Sequence, residues 1–301
     1  MKSQQNPPLD LPSQRAHDYL LRIGKLVEER LDSHLPPVSD KPFRLHEAMR
    51  YSMFAGGKRL RPALCYAAWE SFGGKGDAVY LAMSALEMFH TFSLIHDDLP
   101  CMDDDDMRRG RPTAHKQYDE ATAVLSGDAL CIHAFALLAA TGVPETVGTI
   151  AEALGTYGMI GGQVTDIESE GKKVDLATVE FIHNRKTAAL IEASLLLGAQ
   201  IAGAREEEIE LIREYGRNIG LAFQVIDDIL DITSTTEELG KDAGSDQEHG
   251  KATYPAMVGI DESREYAMKL VDNALKVLDQ LPDRQTSILR DIAHYIVTRA
   301  N

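Results

Sequence analysis

Apolar residues recur at three- and four-residue spacing along most of the 301-residue chain, whereas alternating β-branched runs bounded by turn signals are scarce. The pattern predicts an all-α protein. Tracts that read as helices run roughly over 13–34, 43–55, 62–72, 77–98, 119–140, 145–169, 178–202, 206–233, 253–280 and 284–299. Breaks fall at Gly56-Gly57, Gly73-Gly74, the stretch from Asp103 to Pro112, Gly142 to Pro144, Glu170 to Lys173, and Leu239 to Gly250. None of these is a long low-complexity linker, so a single helical domain over residues 1–301 is expected, with 1–9 flexible. The stretches around 100–118 and 234–252 are then its two functional loops, since long loops in compact domains carry sites. The segment LIHDDLPCMD near position 97 is echoed by QVIDDILD near 227, which suggests two facing halves of one site.

Composition narrows the function. Apolar residues make up 44% and charged residues 26%, as in a globular protein. The formal net charge of −16 repels a nucleic-acid backbone, so nucleic acid is not an expected partner. An anionic substrate then needs a positive mediator, and a divalent cation supplies one. Cys65, Cys101 and Cys131 form neither a disulfide framework nor a zinc-ligand spacing, which points to the cytoplasm. No signal-peptide core is expected at the N-terminus. The most apolar stretch, Ala188 to Ala204, contains Glu192 and Gln200, and no membrane span is read there.

Asp227 and Asp231 lie four apart, about 40° round a helix and about 6 Å along it, and can face one ligand. Asp228 sits about 100° away on the flank. The surrounding Phe223, Val225, Ile226, Ile229, Leu230 and Ile232 are apolar, so these carboxylates need a metal or cationic partner. In the first motif, a continuous helix would splay Asp97 and Asp103 by about 120°. Pro100 disfavours that helix and lets the chain turn Asp103 back toward Asp97. Asp104 to Asp106 read individually as an ordinary acidic loop. Oxygen-only clusters of this kind suit Mg²⁺ bridging to phosphates. Lys58, Arg59 and Arg61 after Gly56-Gly57, Arg108 and Arg109 after the acidic loop, and Lys186, Lys241 and Lys251 offer phosphate contacts. The Gly-Gly-Lys turn lacks the strand and spacing of a P-loop, which argues against nucleotide triphosphate hydrolysis.

Taken together, GGKRLRP, HTFSLIHDDLPCMDDDDMRRGRPTAH, RKTAALIEAS, FQVIDDILD and GKDAGSDQEHGKATYP resemble the bacterial short-chain trans-prenyl diphosphate synthase family, most closely its farnesyl diphosphate synthases. The matches run in family order from about Lys58 to Pro255. The resemblance implies a helical bundle around a central cavity, usually homodimeric, that joins isopentenyl diphosphate to an allylic diphosphate with Mg²⁺. By position, Lys58, Arg61, His90 and Arg109 resemble residues that hold isopentenyl diphosphate. Arg108, Lys186, Thr187, Gln224, Lys241 and Lys251 resemble those around the allylic diphosphate and its cation. Asp97, Asp103 and Asp227 are the implied direct Mg²⁺ ligands, with Asp98, Asp231 and Asp246 in support. His96 and the three cysteines read as structural. The chain departs from the family pattern in ending Thr298-Arg299-Ala300-Asn301 without a terminal lysine, in Ile226, and in Asp242 after Lys241.

Product length is expected to be C15, farnesyl diphosphate, with geranyl diphosphate as intermediate; a geranylgeranyl or geranyl product is the alternative. In similar enzymes an aromatic residue at the place of Phe92 goes with a farnesyl product. Ideal geometry turns Phe92 about 140° from Asp97, so Phe89 or a facing helix could form the channel floor instead. A terpene cyclase needs no second diphosphate pocket, which Lys58, Arg61 and Arg109 argue for. A non-catalytic partner subunit would be expected to lack one aspartate motif, and both are present.

Overall fold

The structure is a computed structural model that describes residues 10–233, 251 and 253–298. Lys241, Asp242, Asp246, residues 1–9 and the chain end at 299–301 lie outside the described residues, as does most of the stretch expected to form the second loop. The helices in chain order are α1 (Leu11–His34), α2 (Phe43–Met53), α3 (Leu60–Ser71), α4 (Ala78–Asp97), α5 (Ala114–Gln117), α6 (Glu120–Ala140), α7 (Glu145–Leu154), α8 (Met159–Ser169), α9 (Leu176–Ile182), α10 (Ala189–Ile201), α11 (Glu206–Thr233), α12 (Tyr254–Val258), α13 (Ile260–Leu278) and α14 (Ser287–Thr298). A two-stranded antiparallel pair, β1 (Met107–Arg108) with β2 (Arg111–Pro112), sits between α4 and α5, in register Met107 to Pro112.

The centre of the bundle is α4, whose apolar residues run all round its circumference, the pattern of a fully buried helix. It packs against α3 and α6, while α10 packs on α3 and α11, and α11 packs on α13. Close approach of α10 to α3 depends on Gly198, where a Cβ would lie 2.0 Å from the Cys65 carbonyl oxygen. Helix α11 is amphipathic: Ile209, Ile212, Ile219, Ala222, Val225 and Ile229 form its buried stripe, which leaves its polar face to the site. Side-chain caps fix several helix starts; Asp119 accepts from Thr122 N at 2.7 Å and Asp175 from Thr178 N at 2.9 Å.

Three expected helices differ. The tract 145–169 divides between α7 and α8, because the chain turns at Gly155 and Gly158, where a Cβ would meet backbone oxygens at 2.7 and 2.2 Å. The tract 253–280 divides at Gly259, whose φ of 95° lies in the left-handed region. The tract 178–202 is continuous but carries a π-helical segment, His183–Ala188, between α9 and α10. Such wide turns occur often at functional sites. The β1–β2 pair was not expected from the sequence, because two-residue strands leave no periodicity to read.

Candidate active site

A cavity of about 720 Å³ opens between α4, α8, the π segment, α11 and the loops after α2 and α4, a size usual for small-molecule sites. At the end of α4 the chain turns as Pro100 requires: Asp103 N donates to Asp97 O at 2.9 Å and Met102 N to Leu99 O at 2.8 Å. Asp97 and Asp103 therefore share the cavity wall, and Asp227 of α11 lines it as well. Lys58, Arg61, His90, Phe92, Arg108, Arg109, Lys186, Thr187, Gln224 and Lys251 also line it. Asp98 and Asp231, read from the sequence as supporting carboxylates, are buried but do not line this wall.

Many of the polar side chains are held by partners. Asp98 grips Arg108 Nε at 2.6 Å, and Asp105 accepts from Arg108 Nη2 at 2.7 Å. Lys186 pairs with Asp166 at 2.6 Å and Lys251 with Asp103 at 3.3 Å. Asp228 accepts from Gln224 Nε2 at 2.8 Å and from Tyr254 N at 2.9 Å, and lies 3.2 Å from His183 Nε2. It thus ties α11 to the π segment and to the chain that follows Lys251. Arg109, with φ 54°, donates to the Gly56 carbonyl, and its guanidinium covers Gly57, where a Cβ would meet it at 2.7 Å. The Gly57 φ of 131° lies in the region that favours glycine. Arg59 is buried against Glu87 at 2.6 Å and donates to Met53 O at 2.8 Å, bracing the turn that presents Lys58 and Arg61.

The electrostatics follow from burial and charge together. Burial pushes the Asp97 carboxyl up, opposed by Lys186 and reinforced by Asp103. Burial raises Asp98 to about 6 against the pull of Arg108. Burial works against the Arg108 charge, but Asp98, Asp105 and Asp97 outweigh it and hold the guanidinium above its usual value. Arg61 is lowered to about 10, by burial and Arg109 against the opposing Glu87 and Asp227. His90 is driven well below the usual imidazole range by burial and by Arg61, Arg109 and Arg108, so it stays neutral. The wall carries as many lysines and arginines as aspartates and glutamates, so the chain's surplus of negative charge is not concentrated here.

Away from the charges the wall is apolar, formed by Met159, Ile160, Val164 and Ile167 of α8 with Leu190 and Phe223. The cavity also wraps about half the circumference of α4, from Leu94 and Asp97 past Ser93 to His96 and Phe92. That extent is why Phe92 lines the cavity with Asp97 despite pointing elsewhere on the helix. Its ring meets Phe89 and His96 edge-on at 6.5 and 5.8 Å. Phe89 is fully buried behind it, against Phe135 at 4.8 Å. Sequence reading missed Gln163 and Asp166 of α8 and Glu87 of α4 on this wall. Each left a signal: a lone carboxylate, or a glutamine and an aspartate three apart, inside a largely apolar helix.

A helical shell round a cavity with opposed aspartate motifs, clustered cations and a long apolar wall defines a prenyl-transferring enzyme. The polyprenyl synthetase family model matches residues 42–292, and the chain belongs to that family. It is 49% identical over 295 residues to the heterodimeric geranylgeranyl pyrophosphate synthase large subunit 1, chloroplastic, of Arabidopsis thaliana, covering 94% of this chain and 79% of that one. It is 46% identical over 292 residues to a dimethylallyltranstransferase of Fischerella ambigua, covering 94% and 84%. Among solved structures, an FPP/GFPP synthase from Zymomonas mobilis superposes with a TM-score of 0.81 at 36% identity, covering 95% of this chain and 99% of that chain. A geranyltransferase from Helicobacter pylori, complexed with magnesium and isoprenyl diphosphate, gives 0.81 at 32% identity, covering 97% and 99%.

Proposed function

We propose that this prenyltransferase condenses isopentenyl diphosphate with allylic diphosphates and carries the product to C20 geranylgeranyl diphosphate. The observation that carries the reaction class is that Asp97, Asp103 and Asp227 line one cavity that also holds seven lysine and arginine side chains and an apolar wall. The donor set fits Mg²⁺: Asp97, Asp103 and Asp227 line one cavity and offer oxygen ligands alone, and Lys186 and Lys251 supply positive charge beside Asp97. Asp97, Asp103 and Asp227 would hold such an ion, with Asp98 and Asp231 in support, and it would supply Lewis-acid stabilisation of a leaving diphosphate.

The chain's own residues do the rest. Arg108, Lys186 and Lys251 hold the allylic diphosphate and stabilise the charge it acquires as the C–O bond breaks. Lys241 belongs to the same set by family position. Thr187 and Gln224 turn oxygen dipoles toward the allylic cation. Lys58, Arg61 and Arg109 hold the second diphosphate, and the neutral His90 donates a hydrogen bond to it. The departing diphosphate accepts the proton lost after the new C–C bond forms.

Support for the C20 product comes from relatives at 48–49% identity that are named geranylgeranyl pyrophosphate synthases, which outweighs the farnesyl expectation. The farnesyl reading keeps one observation in its favour, the Phe92 ring on the cavity wall. Purified protein supplied with Mg²⁺, isopentenyl diphosphate and, in separate reactions, dimethylallyl, geranyl or farnesyl diphosphate decides between them. Conversion of farnesyl diphosphate to a C20 product is expected. Accumulation of C15 with farnesyl diphosphate left unconsumed establishes the farnesyl reading, and no condensation with any acceptor removes the proposal.

A homodimer is part of the same proposal. Helix α6 is long and apolar enough to cross a membrane, yet only 33% of its apolar window is buried, against 61% for α4. Val124, Leu125 and Ile132 are exposed on it at 39%, 58% and 70%. A second copy covering that face accounts for them.

A further inference from the structure

The acidic loop has two faces. Along 103–106 the side chains alternate, with Asp103 and Asp105 on the cavity wall and Asp104 and Asp106 exposed on the other side. On that outer side Asp104 and Asp106 meet His115, the ligand atoms of all three lying within 4.8 Å of one another. His115 is buried at 8% exposure, and its Nε2 has no hydrogen-bond partner. The tautomer follows from the neighbours. Thr113 Oγ1 donates to the Asp105 carbonyl oxygen at 2.8 Å, so toward His115 Nδ1, at 3.2 Å, it acts as acceptor. In the neutral ring the proton then sits on Nδ1, and the lone pair falls on the buried Nε2. A ring nitrogen fixed by a hydrogen bond at its other nitrogen is the usual arrangement of a metal-binding histidine.

We propose that Asp104, Asp106 and His115 form a second divalent-metal site on the outer face of the loop, selective for a transition metal such as Zn²⁺, Mn²⁺ or Co²⁺. One imidazole nitrogen with two carboxylates suits these ions, whereas Mg²⁺ prefers oxygen alone. Ligand bonds of about 2.0–2.2 Å require the donors to draw together, and the two exposed aspartates supply that movement while His115 stays fixed. Asp106 already holds Lys116 at 2.8 Å, so the ion competes with one ammonium group. Filled, the site clasps the loop to α5 at the base of the β1–β2 pair, which carries Arg108 next to Arg109.

The test reads metal binding alone, in the Asp97→Ala/Asp103→Ala/Asp227→Ala protein, from which the three carboxylates assigned to Mg²⁺ have been removed. Co²⁺ is titrated in without Mg²⁺ or substrate, followed by visible absorption and equilibrium dialysis. One bound equivalent is expected, with affinity falling at least about tenfold on adding His115→Gln, no less than the loss typical on removing an outer-shell partner of a metal ligand. Because His115 is buried, the exposed pair Asp104→Asn/Asp106→Asn serves as a second variant that leaves the core intact, and it is expected to lose the ion as well. Absence of Co²⁺ binding in the parent triple variant, or binding unchanged by either set of substitutions, overturns the proposal.

Discussion

Asp97 and Asp227 come from helices distant in sequence, and neither belongs to the apolar core. Asp97→Ala and Asp227→Ala are expected to lower turnover by about 10³-fold, the scale on which single preorganised electrostatic contacts act. Circular dichroism and melting temperature should stay close to wild type; unchanged turnover in Asp97→Ala would remove the carboxylate assignment. Arg61 and His90 line the same end of the cavity, but only one is charged, since burial and the neighbouring guanidiniums keep His90 neutral. Arg61→Ala and His90→Ala should both raise the KM for isopentenyl diphosphate more than that for the allylic partner. The Arg61 effect should shrink with added salt and the His90 effect should not, because screening acts on the charge. A KM ratio shifted the other way would mean that the two diphosphate pockets are exchanged. His90 illustrates what sequence offers at this scale: its place seven residues before Asp97 was readable from helical spacing, its protonation state was not.

Elements add constraints that single residues do not. The first turn of α11 is pinned by Glu208, which accepts from Arg284 Nε at 2.8 Å and Nη2 at 3.0 Å, and from Arg205. The Arg284 hydrogen bond, against the cost of burial, lowers Glu208 from 4.5 to about 2. A carboxyl whose folded value is depressed contributes stability that is complete above its unfolded value and is lost as pH falls toward its folded value. Wild type should therefore lose roughly 1–2 kcal/mol between pH 4.5 and about 2 from this group, after allowing for solvent screening. Glu208→Gln should start less stable near neutral pH and lack that part of the decline, as read by urea unfolding at several pH values. Equal acid sensitivity in the two proteins would contradict the assignment. Helix positions were legible in the spacing of apolar residues, with α1, α6 and α11 close to expectation. The breaks at Gly155 and Gly259 were not, because a glycine within a helical pattern is tolerated as often as it ends one. The π segment at His183–Ala188 was equally hidden: it answers to the packing of α8 and α11 on either side, not to any local signal.

At the scale of the whole molecule, the exposed apolar side of α6 carries the remaining prediction. Leu125→Glu/Ile132→Glu should convert a dimer to monomers in light scattering, while single-chain helix content persists. A wild-type protein that is monomeric at micromolar concentration would leave that face without its second copy. By itself the sequence determined the helical class, the pair of aspartate motifs and the turn at Pro100, because helical periodicity, carboxylates stranded among apolar residues and proline's fixed geometry are local properties. Tertiary structure alone decided which charges meet. Asp166 reaches Lys186 and Asp228 reaches His183 and the Tyr254 amide only when α8, the π segment and α11 pack together. The cavity's passage round α4 to Phe92 was also settled there, since a helix's own spacing does not say how much of its circumference neighbouring helices leave uncovered.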